Sequence, residues 1–227
     1  WPDMLADKVK ITGYPALDRY NGYNAADIAS KTRQILRLDP EKPIVLYCGQ
    51  VARSGEVLQE IVGVLNELKR DIYFIPRQHG RMMVDSPDQL PYWQAALADF
   101  NGGTLIEDTS GVETASLLAS ADVVLSMYST ALTEAAVLCK QNIAVLYPDV
   151  GMQQFLDEFG GVMSEFPLVV LGCTVKASSR QELLDALSAA FGRGLGLEAN
   201  QTRYFSIDGK NTQRVVETII HAANNRF

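Results

Sequence analysis

Apolar positions along this chain fall into two alternating rhythms. Short runs rich in β-branched residues recur at Pro43–Tyr47 (PIVLY), Asp71–Pro76 (around IYFIP), Thr104–Ile106, Val123–Met127, Ile143–Tyr147 and Leu168–Leu171. Each is too short for a helix and too continuously apolar for a half-exposed strand, so each reads as a strand buried on both faces. Helical spacing lies between them: Asn24–Leu38, Glu56–Lys69, the end of the segment 85–100, Val112–Ser120, Ala131–Cys139, a helix opening after Asp149, Gln181–Phe191 and Thr212–Asn224. The last carries Val216, Ile219, Ile220 and Ala223 as a stripe expected to be buried. Gly192–Gly196 follows a helix rather than a strand and reads as a loop. Strands alternating with helices predict an α/β chain with a doubly wound parallel sheet of about six strands and helices on both faces.

Composition narrows the function classes. With 227 residues, 47% of them hydrophobic, the chain can bury the core of one large domain or two small ones. A formal charge of −7 argues against a nucleic-acid binder, which needs a basic face, but leaves room for a local cationic pocket. No apolar run approaches the ~18 residues of a membrane span, and the opening residues carry no signal-peptide pattern. Cys48, Cys139 and Cys173 show no metal-ligand spacing and read as buried free thiols of a reducing, cytoplasmic compartment. A start at Trp1 rather than Met suggests a fragment.

The chemistry concentrates after the run Val123–Met127. Tyr128, Ser129 and Thr130 form a turn at the carboxyl end of a buried strand, the edge at which open α/β sheets bind ligands. The helix that follows has unpaired amides at its start, and its dipole favours an anion there. Ser129 or Thr130 can cap it and keep a hydroxyl for a phosphate oxygen. Glu134 lies four residues after Thr130, one turn deeper on the same face, among Ala, Leu and Val. A ribose diol, donating two hydrogen bonds, suits that carboxylate. A solvated Glu favoured by the dipole is the competing account.

Two more loops leave the same edge. Pro43–Tyr47 runs into Cys48–Gly55, where Gly49 permits a tight turn and Gln50, Arg53 and Ser54 are polar. This loop lacks both the G-x-G-x-x-G fingerprint and the P-loop pattern. The strand at Asp71–Pro76 runs into Arg77-Gln78-His79-Gly80-Arg81, where neighbouring cations push His79 towards its neutral form unless an anion lies between them. A solvated loop Arg and an incidental surface His are the plain alternatives. Near the start, KVKITGYPALDRY reads as a short edge strand, a turn and a polar connector over residues 1–23.

These motifs, in this order, resemble the C-terminal half of GT-B glycosyltransferases. More narrowly they are similar to the group that holds UDP-N-acetylglucosamine 2-epimerase, lipid-A-disaccharide synthase and the CDP-glycerol polymer transferases. The resemblance implies a Rossmann-like domain over residues 24–227, preceded by an interdomain linker in which Gly13, Pro15 and Asp18 match the family's T-G-x-P-x-x-D stretch. It implies that Ser129 and Thr130 cradle a diphosphate, that Glu134 holds the ribose, and that Arg77 and His79 contact the donor diphosphate. It places Gly49, Gln50 and Arg53 near the sugar and distal phosphate, and the base near Thr109–Glu113. Thr130 and Ala131 stand where many members have glycine, and Gly80 where relatives have proline. The implied partner is a UDP- or CDP-type nucleotide diphosphate sugar, together with an N-terminal domain of the same protein that is missing from this chain. No cofactor is implied, and no Asp-x-Asp metal motif stands beside the phosphate turn. The implied activity is transfer of the sugar to an acceptor. A hydrolysing UDP-sugar 2-epimerase and a non-catalytic nucleotide-binding module remain alternatives.

Overall fold

The computed structural model describes residues 9–205 and 207–224. It divides into two compact units: the described residues of the two chain ends, up to Asn24 and from Phe205, and the segment Ala25–Tyr204.

The segment Ala25–Tyr204 holds an all-parallel six-stranded sheet, with helices between the strands. Its elements are α1 (Ala25–Ile35), β1 (Ile44–Cys48), α2 (Ser54–Leu68), β2 (Ile72–Arg77), α3 (Met82–Asp85), α4 (Leu90–Asp99), β3 (Gly103–Leu105), α5 (Thr114–Ser120), β4 (Val123–Ser126), α6 (Thr130–Val137), β5 (Gln141–Val145), α7 (Gln153–Phe159), α8 (Pro167–Val170), β6 (Val175–Ala177), α9 (Arg180–Phe191) and α10 (Glu198–Tyr204). The strand order is β3-β2-β1-β4-β5-β6, the doubly wound Rossmann order. Registers pair Val45 with both Phe74 and Val123, which fixes β1 and β4 as the centre. Both central strands are buried along their whole length, as a strand covered on both faces must be. Helix α2 packs against both α4 and α9, while α5 packs against α1 and α6, and α10 against α6.

Small residues and polar ties set the close approaches. At Gly55 a Cβ would stand 2.5 Å from the Gln89 carbonyl oxygen, so this glycine lets α2 come against the start of α4. There Trp93 stacks on the fully buried Tyr47 ring at 5.7 Å, a packing role for that tryptophan. Below the sheet, Asp122 accepts hydrogen bonds from the Ile44 amide (2.8 Å) and from Arg33 (3.0 Å), joining α1 to β1 and β4. Ser179 caps α9 by accepting from the Glu182 amide, and the Glu182 carboxylate accepts from the Ser178 amide.

Two expectations change here, and one further helix appears. Leu168–Leu171, read as the outer strand, is largely the short helix α8, and the outer strand is Val175–Ala177. Pro167 supplies a helix start with no amide to lose, and the burial is one-sided: Leu168 is buried while Val170 is 71% exposed. A strand buried on both faces could not leave Val170 out. β5 opens at Gln141, two residues before the apolar run, where it pairs with Val123, and the Gln141 side chain accepts from the Leu195 amide (2.6 Å). The helix α10 carries no apolar stripe in the sequence; its one buried residue is Gln201.

The unit of the chain ends contains a 3₁₀ helix, Pro15–Tyr20, and the last helix, α11 (Asn211–Asn224). Asp18 caps α11 from a distance, accepting from the amides of Asn211 (3.0 Å) and Thr212 (2.8 Å). Arg214 donates to the Thr12 carbonyl (2.9 Å) and to Asp208 (2.6 Å). The expected edge strand is not formed among residues 9–14, and its start lies outside the described residues. The α11 stripe is not buried: Val216, Ile219 and Ile220 are 48%, 62% and 54% exposed. Periodicity specified an apolar face without specifying what covers it.

Candidate nucleotide site

The strand order reverses between β1 and β4, so the crevice of this sheet opens at their carboxyl ends. Three strand ends are tied there. The Ser126 hydroxyl donates to the Cys48 carbonyl at 2.6 Å, and the Gly49 amide donates to the Arg77 carbonyl at 2.8 Å. The ends of β4, β1 and β2 thus form one rigid rim.

On the β4 side the chain turns through Met127, Tyr128 and Ser129 into α6. Ser129 is extended and its hydroxyl accepts from the Ala131 amide at 3.1 Å, which makes it the N-cap. Thr130 is the first helical residue and is exposed. Tyr128 braces the turn from outside: its hydroxyl donates to Glu158 at 2.9 Å, and its ring lies edge-on to Phe155 and Phe159. Burial first, and then the Glu158 carboxylate, hold that phenol well above its ordinary range.

Opposite stands Arg77, at the end of β2. It donates to the Thr109 hydroxyl at 3.1 Å and lines a cavity of about 530 Å³ with Glu107–Glu113. Between the two sides lies the Cys48 thiol. Burial pushes it up to about 12; the Arg77 charge pulls it down, and the Glu134 charge adds to the rise. Arg77 and Glu134 are therefore both within electrostatic reach of one buried sulfur, and the rim carries a cation and a carboxylate on opposite flanks. Glu134 itself is half-buried on α6, one turn below Thr130. Gln50, just past Gly49, has its amide nitrogen buried without an acceptor.

Arg53 and His79 are engaged locally. Arg53 sits at the start of α2 in the left-handed region (φ 55°), an unusual conformation for a residue with a side chain. Its guanidinium grips Glu56 at 2.8 and 3.3 Å. His79 is exposed, its Nδ1 accepting from the Arg81 amide at 3.2 Å, while Arg81 pairs with Asp85 at 2.6 Å. Among the described residues, no group of three or more His, Cys, Asp and Glu side chains is placed to hold a metal ion.

No family model matches the sequence, and no curated protein sequence does. Solved structures do. The UDP-GlcNAc 2-epimerase of Neisseria meningitidis, solved with UDP-GlcNAc bound, superposes with a TM-score of 0.66 at 18% identity over 95% of this chain and 56% of that one. The wall teichoic acid polymerase TagF superposes with a TM-score of 0.57 at 15% identity, over 97% of this chain and 53% of that one. MurG of Acinetobacter baumannii gives 0.52 at 16% identity, over 86% and 55%. This chain has the fold of one half of a GT-B glycosyltransferase. It spans about half the length of each of these structures.

In this chain, Gly49, Gln50, Arg77, Ser129, Thr130 and Glu134 come from three separate loops and helices onto the joined ends of β1, β2 and β4. Arg53 and His79 lie on loops of the same edge, turned to their own partners. Ser126 and Glu56 were not singled out in the sequence, though each leaves a trace: a lone hydroxyl inside an apolar strand, and a carboxylate three residues after an arginine. Gln153 and Gln154, which stand after β5, reach Asp157 and Glu158 along their own helix at 2.7 Å each, as an ordinary helix start does.

Proposed function

We propose that this chain is the donor-binding half of a glycosyltransferase, holding a nucleotide diphosphate sugar at the β1–β4 crevice and supporting sugar transfer to an acceptor. The observation that carries the reading is the convergence of a capped helix start, a cation and a carboxylate on the one edge where this strand order opens a crevice. The amides at the start of α6 and the Ser129 hydroxyl take the diphosphate, and Glu134 accepts hydrogen bonds from the ribose hydroxyls. Arg77 and the α6 dipole offset the negative charge that grows on the leaving diphosphate, so the site needs no metal for that task. Gln50 donates its buried amide to an oxygen of the distal phosphate or sugar, with Gly49 allowing close approach. Arg53 serves the sugar or distal phosphate and His79 the diphosphate, each exchanging its present partner for it. The cavity beside Arg77 takes the base.

Acceptor activation belongs to a second domain of the same cytoplasmic protein, which would also cover the exposed stripe of α11. The supporting fact is that the superposed structures are about twice as long as the part this chain matches. The test is a thermal-shift titration of this chain with UDP, CDP, GDP and ADP. A ligand at one hundred times its Kd adds about 2.7 kcal/mol and raises Tm by several degrees. No shift with any of the four would point to a module that kept the fold and lost the ligand. Conversion of UDP-N-acetylglucosamine to its 2-epimer by the full-length protein would make the epimerase reading the better one.

A further inference from the structure

Three polar side chains far from the crevice are almost completely buried, and each keeps one oxygen without a partner. They are Asn142 (0% exposed), Thr174 (3%) and Gln201 (1%). Asn142 lies on β5 and Thr174 immediately precedes β6. The β5–β6 register, with Ile143 opposite Val175, sets Asn142 beside Thr174 on neighbouring strands with side chains on the same face of the sheet. Gln201 enters from α10, and its Nε2 donates to the carbonyls of both Lys140 (2.9 Å) and Cys173 (3.0 Å). Lys140 immediately precedes β5 and Cys173 immediately precedes Thr174, so the amide bridges the openings of the same two strands.

The orientation of both amides is determined. Asn142 Nδ2 donates to the Leu132 carbonyl at 2.8 Å, and turning either amide over would set an oxygen against carbonyl oxygens. What remains is Asn142 Oδ1 and Gln201 Oε1, which can only accept, and the Thr174 hydroxyl, which can donate. We infer that a single buried water joins them, donating one hydrogen to each amide oxygen and accepting the proton of Thr174. Three hydrogen bonds is the usual complement of a buried water, and leaving three polar atoms unmatched in this interior would be costly. A metal cation would also suit three oxygens, but among the described residues no carboxylate hydrogen-bonds to this group of side chains, and the ammonium of nearby Lys140 is already held by the Ala119 carbonyl. A neutral ligand with two donors and one acceptor fits; a positive charge does not. The water pins α10 to the sheet through bonds that no side chain makes directly.

A high-resolution crystal structure of the full chain tests this. One solvent peak within 2.7–3.2 Å of all three oxygens is the expected result. Direct hydrogen bonds among the three side chains, with no peak between them, would overturn it. So would an anomalous peak at that point after exchange of sodium for rubidium. As a second readout, oxygen-17 magnetic relaxation dispersion counts waters of long residence, and Thr174→Val should lose one of them while lowering Tm by about 2–4 °C. An unchanged count in a folded Thr174→Val variant would also refute the inference.

Discussion

The hydroxyl of Ser126 lies 2.6 Å from the carbonyl oxygen of Cys48, so the last residue of one central strand is clipped to the last residue of the other. Both residues are buried and the bond sits at the base of the crevice. Ser126→Ala leaves that carbonyl without its donor, at a cost of about 1–3 kcal/mol. Urea unfolding should show a lower midpoint with an unchanged slope. Because the clip also sets the spacing of the Gly49 and Ser129 loops, nucleotide affinity should fall in the folded variant as well.

Glu134 and Arg77 should act on nucleotide binding more than on stability. Each would contribute a charge-assisted hydrogen bond, so Glu134→Ala and Arg77→Ala should each weaken Kd by about tenfold or more. Isothermal titration with the nucleotide that gives the largest thermal shift measures it. An unchanged Kd in Glu134→Ala would remove the ribose from the proposed pose.

Cys48 makes stability fall at high pH. Its folded-state value of about 12 stands above the ordinary 9.0, so between the two the folded chain keeps a proton that the unfolded chain has lost. The unfolded state then binds fewer protons, and stability declines as pH rises through that window. Urea titrations of wild type and Cys48→Ala above pH 9 should diverge in slope against pH, the wild type falling faster. Cys139, expected to be buried like the other two thiols, is exposed just past the end of α6, so thiol labelling at neutral pH should reach it first and spare Cys48 and Cys173.

Asp18 acts in the opposite direction. The Thr212 amide chiefly, with help from Asn211, holds its carboxyl below the ordinary value. Its stabilising contribution is present above the unfolded value and is lost as pH falls through the folded one. Asp18→Asn should therefore fray the start of α11, seen as faster amide exchange at Asn211 and Thr212, with the sheet unaffected.

Gly55→Ala should loosen the face that carries Trp93. The added carbon would stand 2.5 Å from the Gln89 carbonyl oxygen and 2.9 Å from Tyr92, so α2 and α4 must part. Overpacking of this kind costs about 1–3 kcal/mol, and Trp93 fluorescence should report the shift.

Much of this fold was legible because a parallel sheet writes itself plainly. Ile44–Cys48 and Val123–Ser126 are buried on both sides, so the sequence there is apolar without a break. Legibility ended where burial is one-sided or achieved by other means. Leu168–Leu171 has the composition of a strand, but its place after Pro167 made it a helix. α10 is held by the amide of Gln201 rather than by an apolar stripe, so no periodicity announced it. For the site, the turn Tyr128–Thr130 and Glu134 stood out because polar groups there interrupt apolar surroundings. The occupation of Arg53 by Glu56 was hidden, since a left-handed residue at a helix start reverses a direction that spacing alone cannot show.

The two border strands, β3 and β6, are only three residues long. A foreign strand arriving at either margin would find too few free amides to zip onto, and at β6 it would meet the Lys176–Glu165 ion pair as well. Self-association of this chain, where it occurs, should therefore proceed through the bare isoleucines of its last helix and respond to mild detergent, rather than grow by sheet extension into fibres.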